Sequence, residues 1–447
     1  MLRLVVVVVV SVSLLCACPA EPVVDGGTGG GGGTSDSGFV NYLPDAFESA
    51  YGRAIAVHGG LVYVAGHGIR SDAGSNNDFF IARFSTDLVR DTTFGPDGVG
   101  LADFDGGVIG VFPANNDRPS ALGFDGDRPV LVGNVRSIAV GSGDFGLARF
   151  TPQGQLDPAF GTGGLRVESY GGGHTASASA LALQPDGKLL VTGNIANGGG
   201  RNVDMALVRY EADGRLDRSF TLEDGGAGAV LDFGLGFDED AVDVFLQPGG
   251  AVVAGGGDHF ALARLTSSGR LDPTFGPAGT GQFTHRRGTA RKIVQRSDGS
   301  FWMLGGVELT ADGGSGIGQF YLKQVLLSAD GVPVPGFGQG GVRTDLVPEY
   351  GALRGAALQA DGKLLIYFAF VAQGRVLRLN PDGSVDPTFG TNGVLPLDIA
   401  IPLFEAGLGT GHHLAIEGNT GWVTDINVVK VNTSTSRQVL ALVKFPL

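Results

Sequence analysis

The chain has 447 residues, 45 acidic against 31 basic, for a formal net charge of −14. That balance excludes a surface that seeks nucleic acid or an anionic membrane by charge. Glycine at 78 residues is far above ordinary usage, and both cysteines precede residue 19, so no disulfide framework holds the rest of the chain.

The first residues, MLRLVVVVVVSVSLLCAC, place Arg3 before an apolar run from Leu4 to Leu15. The run is too short for a stable membrane-crossing helix and has the layout of an export signal. Leu15, Cys16, Ala17 and Cys18 resemble the lipobox of bacterial lipoproteins, with Leu third before the modified cysteine and Ala just before it. The resemblance implies a signal peptide over residues 1–17 and acylation of Cys18. It also implies a lipid anchor in the cell envelope, at the outer membrane or cell surface. An ordinary signal peptide, cleaved nearby to leave a soluble secreted protein, has the same layout. Residues 18–37 are Gly-rich without apolar periodicity and read as a flexible tether.

From residue 38 to the end the chain repeats a unit of about sixty residues, enough for four short strands and their turns. In the clearest copy, Ala180–Leu183 is a first apolar strand. Gln184, Pro185, Asp186, Gly187 and Lys188 make a turn, and Leu189–Gly193 returns as the second strand. A third strand follows at Met205–Tyr210, then a turn in which Leu216 and Phe220 tuck under the sheet while Asp217 accepts backbone amides. Phe94, Phe160, Phe220, Phe275, Phe337 and Phe389 mark equivalent points. In the fifth copy Pro333, Val334 and Pro335 replace the Leu-Asp turn.

The hairpins begin near Ala54, Ser120, Ala180, Asp243, Lys292, Gly355 and His413. This predicts an all-β fold: a seven-bladed β-propeller of four-stranded antiparallel blades over residues 38–447. The last copy stops after its third strand, and the orphan Gly38–Leu43 (GFVNYL) has the character of the missing fourth. Pairing the two closes the ring and removes exposed sheet edges.

ALALQPDGKLLVTG, ALVRYEADGRLD and LDPTFG together resemble the delta-60 repeat of bacterial surface and secreted proteins. The resemblance covers nearly all of the chain after the tether. It implies a propeller-like, extracytoplasmic protein and brings no assigned catalytic residues. The functional expectation is a lipid-anchored binding or scaffolding module of the cell envelope, monomeric, with a protein or carbohydrate partner and no nucleic acid. The alternative is a propeller enzyme of lyase or lactone hydrolase type with its site at the channel mouth. An enzyme should place acids, Asn or His toward the axis, whereas Ala54–Val57, Ala180–Leu183 and Gly355–Leu358 offer mostly small apolar side chains.

Asp78, Asp144, Asp204 and Asp258 stand at third-strand starts in successive copies, as cation ligands or as repeated turn residues. Carboxylates on separate blades need not converge, so no metal and no cofactor is expected. Gly141-Ser142-Gly143 lacks the strand-to-helix setting of a nucleophile elbow, and Gly313-Gly314-Ser315-Gly316 lacks the lysine of a phosphate loop. His412 and His413 are neighbours on a strand and point to opposite faces. The connections between second and third strands vary most in length, all on one face. The sharpest candidate is a basic ring. Aligned on their turns, the hairpins put Arg53, Arg291, Arg354 and His412 at one position before the innermost strand, with Pro119, Ser179 and Val242 in the other copies. Such a ring could hold an anionic ligand; the plainer reading pairs the guanidiniums with acids such as Glu48 and Glu349.

Overall fold

The computed structural model describes residues 38–44, 47–70, 77–104, 117–136, 143–169, 175–196, 203–220, 229–231, 240–248, 252–255, 259–285, 288–309, 319–346, 352–370, 373–397, 399, 412–430 and 436–447. Among them the only helical turn is Pro96–Gly98, and the rest is strand and turn. The signal, the tether and Cys18 lie outside the described residues.

The first blade is β2 (Phe47–His58), β3 (Leu61–Arg70), β4 (Asn77–Ser85) and β5 (Val99–Ala102), with β1 (Gly38–Tyr42) preceding it. The second is β6 (Arg118–Asp125), β7 (Arg128–Arg136), β8 (Gly143–Arg149) and β9 (Leu165–Glu168). The third is β10 (Thr175–Leu183), β11 (Leu189–Ala196), β12 (Val203–Tyr210) and β13 (Ala229–Leu231). The fourth is β14 (Asp243–Leu246), β15 (Val252–Gly255), β16 (Phe260–Leu265) and β17 (Gln282–His285). The fifth is β18 (Thr289–Gln295), β19 (Phe301–Leu309), β20 (Gln319–Leu327) and β21 (Val342–Leu346). The sixth is β22 (Ala352–Leu358), β23 (Leu364–Phe370), β24 (Gln373–Leu379) and β25 (Val394–Leu397). The chain ends with β26 (Leu414–Glu417), β27 (Thr420–Lys430) and β28 (Ser436–Pro446).

The expectation of a seven-bladed propeller is corrected at this level. Six blades are self-contained, each made of four consecutive strands in sequence order. The last copy provides three strands, β26, β27 and β28, to its sheet. Its sheet is a composite in the order β1-β28-β27-β26, in which Gly38 faces Lys444 and Tyr42 faces Leu440 in antiparallel register. Counted with this composite, the described residues form seven four-stranded sheets. Their first strands touch in sequence, β2 on β6, β6 on β10, β10 on β14, β14 on β18, β18 on β22 and β22 on β26, and β26 returns to β2.

First strands begin earlier than the hairpin pattern indicates: β2 starts at Phe47 rather than Ala54, and β10 at Thr175 rather than Ala180. The cause is a β-bulge. The register shifts between Gly52 and Ala54, Pro119 and Ala121, Ala178 and Ala180, Ala290 and Lys292, and Leu353 and Gly355. An extra residue there inverts the apolar alternation, so the strand's outer half is out of phase with its inner half. A glycine on the second strand lies opposite in four blades. A Cβ at Gly66, Gly133, Gly193 or Gly305 would stand 2.1, 2.1, 2.2 or 2.1 Å from a first-strand carbonyl oxygen, so no larger residue fits.

Neighbouring sheets are tied together at the opposite end, where the first-to-second and third-to-fourth turns lie. In five blades the arginine near the end of the third strand donates its Nε to the turn aspartate eight residues on: Arg83 to Asp91 (2.9 Å), Arg149 to Asp157 (2.8 Å), Arg209 to Asp217 (2.7 Å), Arg264 to Asp272 (2.9 Å) and Arg378 to Asp386 (2.8 Å). The other aspartate oxygen accepts the amide two residues later, as Asp91 does from Thr93 and Asp217 from Ser219. The guanidinium covers the marker phenylalanine, 4.5 Å from the Phe94 centroid and 4.6 Å from that of Phe220. Its Nη1 reaches a carbonyl in the neighbouring sheet's turn: Arg83 to Pro152, Arg209 to Ser267 (2.6 Å) and Arg264 to Ala329 (3.1 Å).

In the fifth blade, where the turn aspartate is missing, Gln324 stands in for the arginine. It donates to the Gly383 carbonyl (3.0 Å) and accepts from Trp302 (3.2 Å). At the closure Lys444 occupies the arginine position and donates to Asp87 of the first blade (2.9 Å). The apolar cores lie between adjacent sheets: Val130 and Val132 of the second blade share one with Val191 and Val208 of the third.

Two outcomes follow from this arrangement. Burial alone would raise the Asp217 carboxyl, but hydrogen bonds from Lys188, Ser219 and Arg209 outweigh it and hold it far below the usual range; Asp386 is held likewise by Thr388, Lys363 and Arg378. A depressed folded-state carboxyl contributes stability above its unfolded value, about 3.9, and loses it as pH falls toward the folded value. Asp217→Asn should therefore melt well below wild type at pH 7, by about 2–4 kcal/mol of unfolding free energy. The gap should narrow between about pH 4 and pH 2, as followed by circular dichroism; a gap constant across that window would contradict the assignment. Deleting residues 38–43 should expose the outer edge of β28 and produce aggregation or a lower melting temperature. Size-exclusion chromatography and calorimetry of the deletion variant measure this, and an unchanged monomer would exclude the closure by β1.

Candidate functional site at one end of the ring

In a four-stranded meander, first-to-second and third-to-fourth turns leave one end of the sheet. Second-to-third connections and the passages between blades leave the other. The bulges lie in the part of each first strand away from its hairpin turn, toward this second end. The variable connections singled out from sequence leave here too, though much of each lies outside the described residues, as do Asp258, Ser142 and Gly313–Gly316.

Three of the four predicted ring residues meet here and one does not. Arg53 and Arg354 are buried bulge residues of the first and sixth blades. His412 joins them through its backbone, since Ile55 donates to the His412 carbonyl (2.9 Å) and Ala54 forms a parallel bridge with it. The His413 amide points at the Arg354 carbonyl (3.4 Å), which seats residues 412–413 between the sixth and first blades. Arg291 is exposed, and its neighbour Lys292 is the buried cation of the fifth blade. Arg291 and Ser179 occupy the bulge of their blades as aligned, whereas in the second blade the register places Ser120, not Pro119, at the bulge. In the fourth blade it is Asp243, one residue past Val242, that reaches the group.

Asp243 and Asp425 organise the cations. Asp243 Oδ2 accepts the Ile293 amide of the next blade (2.9 Å), and its Oδ1 lies 3.3 Å from His412 Nε2. That contact joins the fourth blade to the composite sheet, across the opening around which the first strands run. Arg354 Nη1 donates to Asp425 Oδ1 (3.0 Å), and the Tyr367 hydroxyl donates to Asp425 Oδ2 (2.8 Å), all three side chains being buried. Asp425 thus takes the role that sequence reasoning gave to Glu349, which lies outside the described residues, while Glu48 is exposed.

His413 is fully buried, and its Nδ1 lies 2.8 Å from the Thr424 carbonyl. A carbonyl only accepts, so Nδ1 carries the proton and Nε2 is left as a lone-pair acceptor. Burial, then Arg354 and Arg53, holds its pKa well below the usual histidine value. Burial, then Lys292 and His413, lowers His412. The His412 side chain is 34% exposed. Burial raises Asp243 and lowers Lys292, each opposed by the charge of the other. Burial, then Asp425, raises Tyr367 well above its ordinary value. Alongside, His67 is buried, lowered by desolvation and by Arg53 and Arg118, and stacks on Tyr51 at 4.7 Å between centroids.

Sequence reasoning expected small apolar side chains along the innermost strands, and missed Asp243, Lys292, Tyr367, His413 and Asp425 as partners. A signal was present. Asp425 and Phe368 stand where the repeat elsewhere puts the glycine opposite the bulge, and Asp243 and Lys292 break the apolar alternation of the first strands. Asp78 and Asp144 are buried at their third-strand starts and Asp204 is half-buried. Burial, with the Glu168 charge adding to it, raises Asp144 against a hydrogen bond from Ser169. Among the described residues no three histidine, cysteine or acidic side chains are grouped to hold a metal.

The buried Arg354–Asp425 pair gives a direct test. Asp425→Asn removes the countercharge of a buried guanidinium and should cost about 3–5 kcal/mol, with Arg354→Met in the same chain restoring most of it. Chemical denaturation of the four-member cycle measures this, and an Asp425→Asn loss below about 0.5 kcal/mol would show that the pair does not hold the cluster.

Five segments, residues 60–94, 130–160, 184–220, 249–275 and 359–389, match a family model described as "Domain of unknown function (DUF5122) beta-propeller". No curated protein matches the chain. Among solved structures it is similar to a virginiamycin B lyase from Staphylococcus aureus at 10% identity and TM-score 0.47, covering 92% of this chain and 99% of that one. A Mycobacterium tuberculosis puromycin-hydrolyzing peptidase is similar at 14% identity and TM-score 0.43, covering 88% of this chain and 54% of that one. YCF48 from Cyanidioschyzon merolae is similar at 12% identity and TM-score 0.40, covering 91% and 98%. The matched segments each span the second and third strands and the phenylalanine turn of one blade, and with the closed run of antiparallel sheets they make this chain a β-propeller repeat protein.

Proposed function

We propose that the protein is a binding module of the cell envelope, held to the membrane by lipid on Cys18 and presenting the bulge end of its ring to a ligand. The observation that carries the binding role is the gathering of Arg53, Asp243, Lys292, Arg354, His412, His413 and Asp425 from five sheets at one end of the ring. Burying so many ionisable groups costs stability that an apolar core would not, and clusters of displaced pKa values concentrate at functional sites. The Leu15-Cys16-Ala17-Cys18 pattern and the Gly-rich residues 18–37 support the tether, which gives the site reach away from the bilayer. The acidic chain makes lipid, not charge, the means of membrane attachment.

A second reading keeps the same site and makes it catalytic, in the manner of a propeller lyase or lactone hydrolase. The His412–Asp243 contact beside the buried Lys292 favours it, because a histidine held near a carboxylate can move a proton. Mass analysis of ligands after incubation separates the two: a binding module returns them unchanged.

The anchor has its own test. Mature protein from the membrane fraction should carry a diacylated or triacylated Cys18 by intact-mass analysis, and Cys18→Ser should move the protein to the soluble fraction. Wild-type protein found soluble, with an unmodified N-terminus beyond Cys18, would end the anchoring proposal and leave the ring and its site untouched.

A further inference from the structure

The geometry points to a specific ligand class for this end of the ring: a hydroxylated carboxylate of the sugar-acid type. The inference rests on the binding role just proposed and adds the chemistry. A carboxylate needs cations, and the buried Arg53 and Arg354 flank residues 412–413: the His413 amide points at the Arg354 carbonyl (3.4 Å) and Ala54, next to Arg53, bridges to His412. Guanidinium and ammonium groups in a buried setting hold carboxylates by charge-assisted hydrogen bonds.

A bare anion, however, offers only acceptors, and the cluster also contains an acceptor. His413 spends its Nδ1 proton on the Thr424 carbonyl, so its Nε2 can only receive a hydrogen bond. That atom is fully buried and makes no hydrogen bond within the protein. A buried acceptor left unmade costs about 1–3 kcal/mol, which a ligand hydroxyl would recover. Cations beside a lone-pair acceptor select a ligand carrying both carboxylate and hydroxyl, such as a hexuronate. The partly exposed His412 ring, whose Nε2 lies 3.3 Å from Asp243, is where the group meets solvent and where the ligand would enter.

The test is isothermal titration calorimetry on the mature chain, kept soluble by Cys18→Ser, with three probes: glucuronate, glucose and inorganic phosphate. Glucuronate should bind saturably, with glucose and phosphate each at least about tenfold weaker, a difference near 1.4 kcal/mol. His412→Gln at the entrance and His413→Phe at the acceptor should each weaken glucuronate about tenfold, while the exposed Arg291→Gln should leave it unchanged. Melting curves identify any variant that fails to fold, and His412→Gln, at a partly exposed position, keeps the test alive if His413→Phe does not.

Phosphate binding as tight as glucuronate would overturn the acceptor argument and leave a plain anion site. Glucose binding as tight as glucuronate would overturn the cationic one. If glucuronate fails while another envelope component binds with the same His412→Gln sensitivity, the ligand class is wrong and the binding role stands. If nothing binds, both fall.

Discussion

Everything at the bulge end of this protein depends on sheets being held at a fixed distance and angle from one another, and the contact that does so lies at the opposite end. In the first four blades one arginine neutralises its own turn aspartate, covers its own phenylalanine and reaches a carbonyl of the next sheet, as Arg209 does with Asp217, Phe220 and Ser267. A guanidinium suits this task because it is planar and forked: one edge takes a carboxylate, the face lies on an aromatic ring, and a remaining N–H extends to the neighbour. A lysine could provide the charge but not the stacking and the bidentate reach together. Lys444 serves at the closure, where its task is a single contact with Asp87.

With one end fixed in this way, the other can carry buried ionisable groups whose charges must be balanced among themselves. The bulge and its facing glycine bring first and second strands closer than any larger residue allows, and this is where the repeat is broken. Three departures coincide: Asp425 in a glycine position, Phe368 in another, and arginine or lysine at or beside the bulge in the first, fifth and sixth blades. The burial of Arg354 and Asp425 together is tolerated because each neutralises the other and Tyr367 donates to the second carboxylate oxygen. Such a network is costly to assemble from water, and four other blades do without it, with glycine at the position that Asp425 holds.

Much of the fold was legible because its signals are local. Asp186-Gly187 and Asp361-Gly362 force hairpins through a positive-φ glycine, at +84° and +82°, and the Phe turn repeats a fixed offset. Gly38–Leu43 was readable as a completing strand because a three-stranded last copy needs one, and β1 lies against β28. The six self-contained blades and the composite sheet were harder to separate, since sequence shows copies of a pattern and not which strands share one sheet. The latch arginines were passed over because Arg209 and Ser267 are far apart in sequence and meet only through the ring. At the candidate site, Arg53, Arg291, Arg354 and His412 were aligned from the sequence, and Arg291 does occupy the bulge of its blade, but its side chain is exposed while Lys292 next to it is buried, which spacing alone does not show.

Asp243 shows why site chemistry resisted the sequence most. It is read there as an ordinary first-strand start, yet in the ring it takes the Ile293 amide from the next blade and faces His412, a residue of the composite sheet. Its environment is made by three segments that only closure brings together, so its altered titration is a property of the closed ring and not of its own blade. The same holds for His413, whose lowered pKa depends on Arg354, Arg53 and Lys292 of the sixth, first and fifth blades. Pairing of β1 with β28 therefore reaches beyond stability. By completing the sheet that carries His412 and His413, it sets the distance between these rings and the cations around them, and with it the charge that a ligand meets.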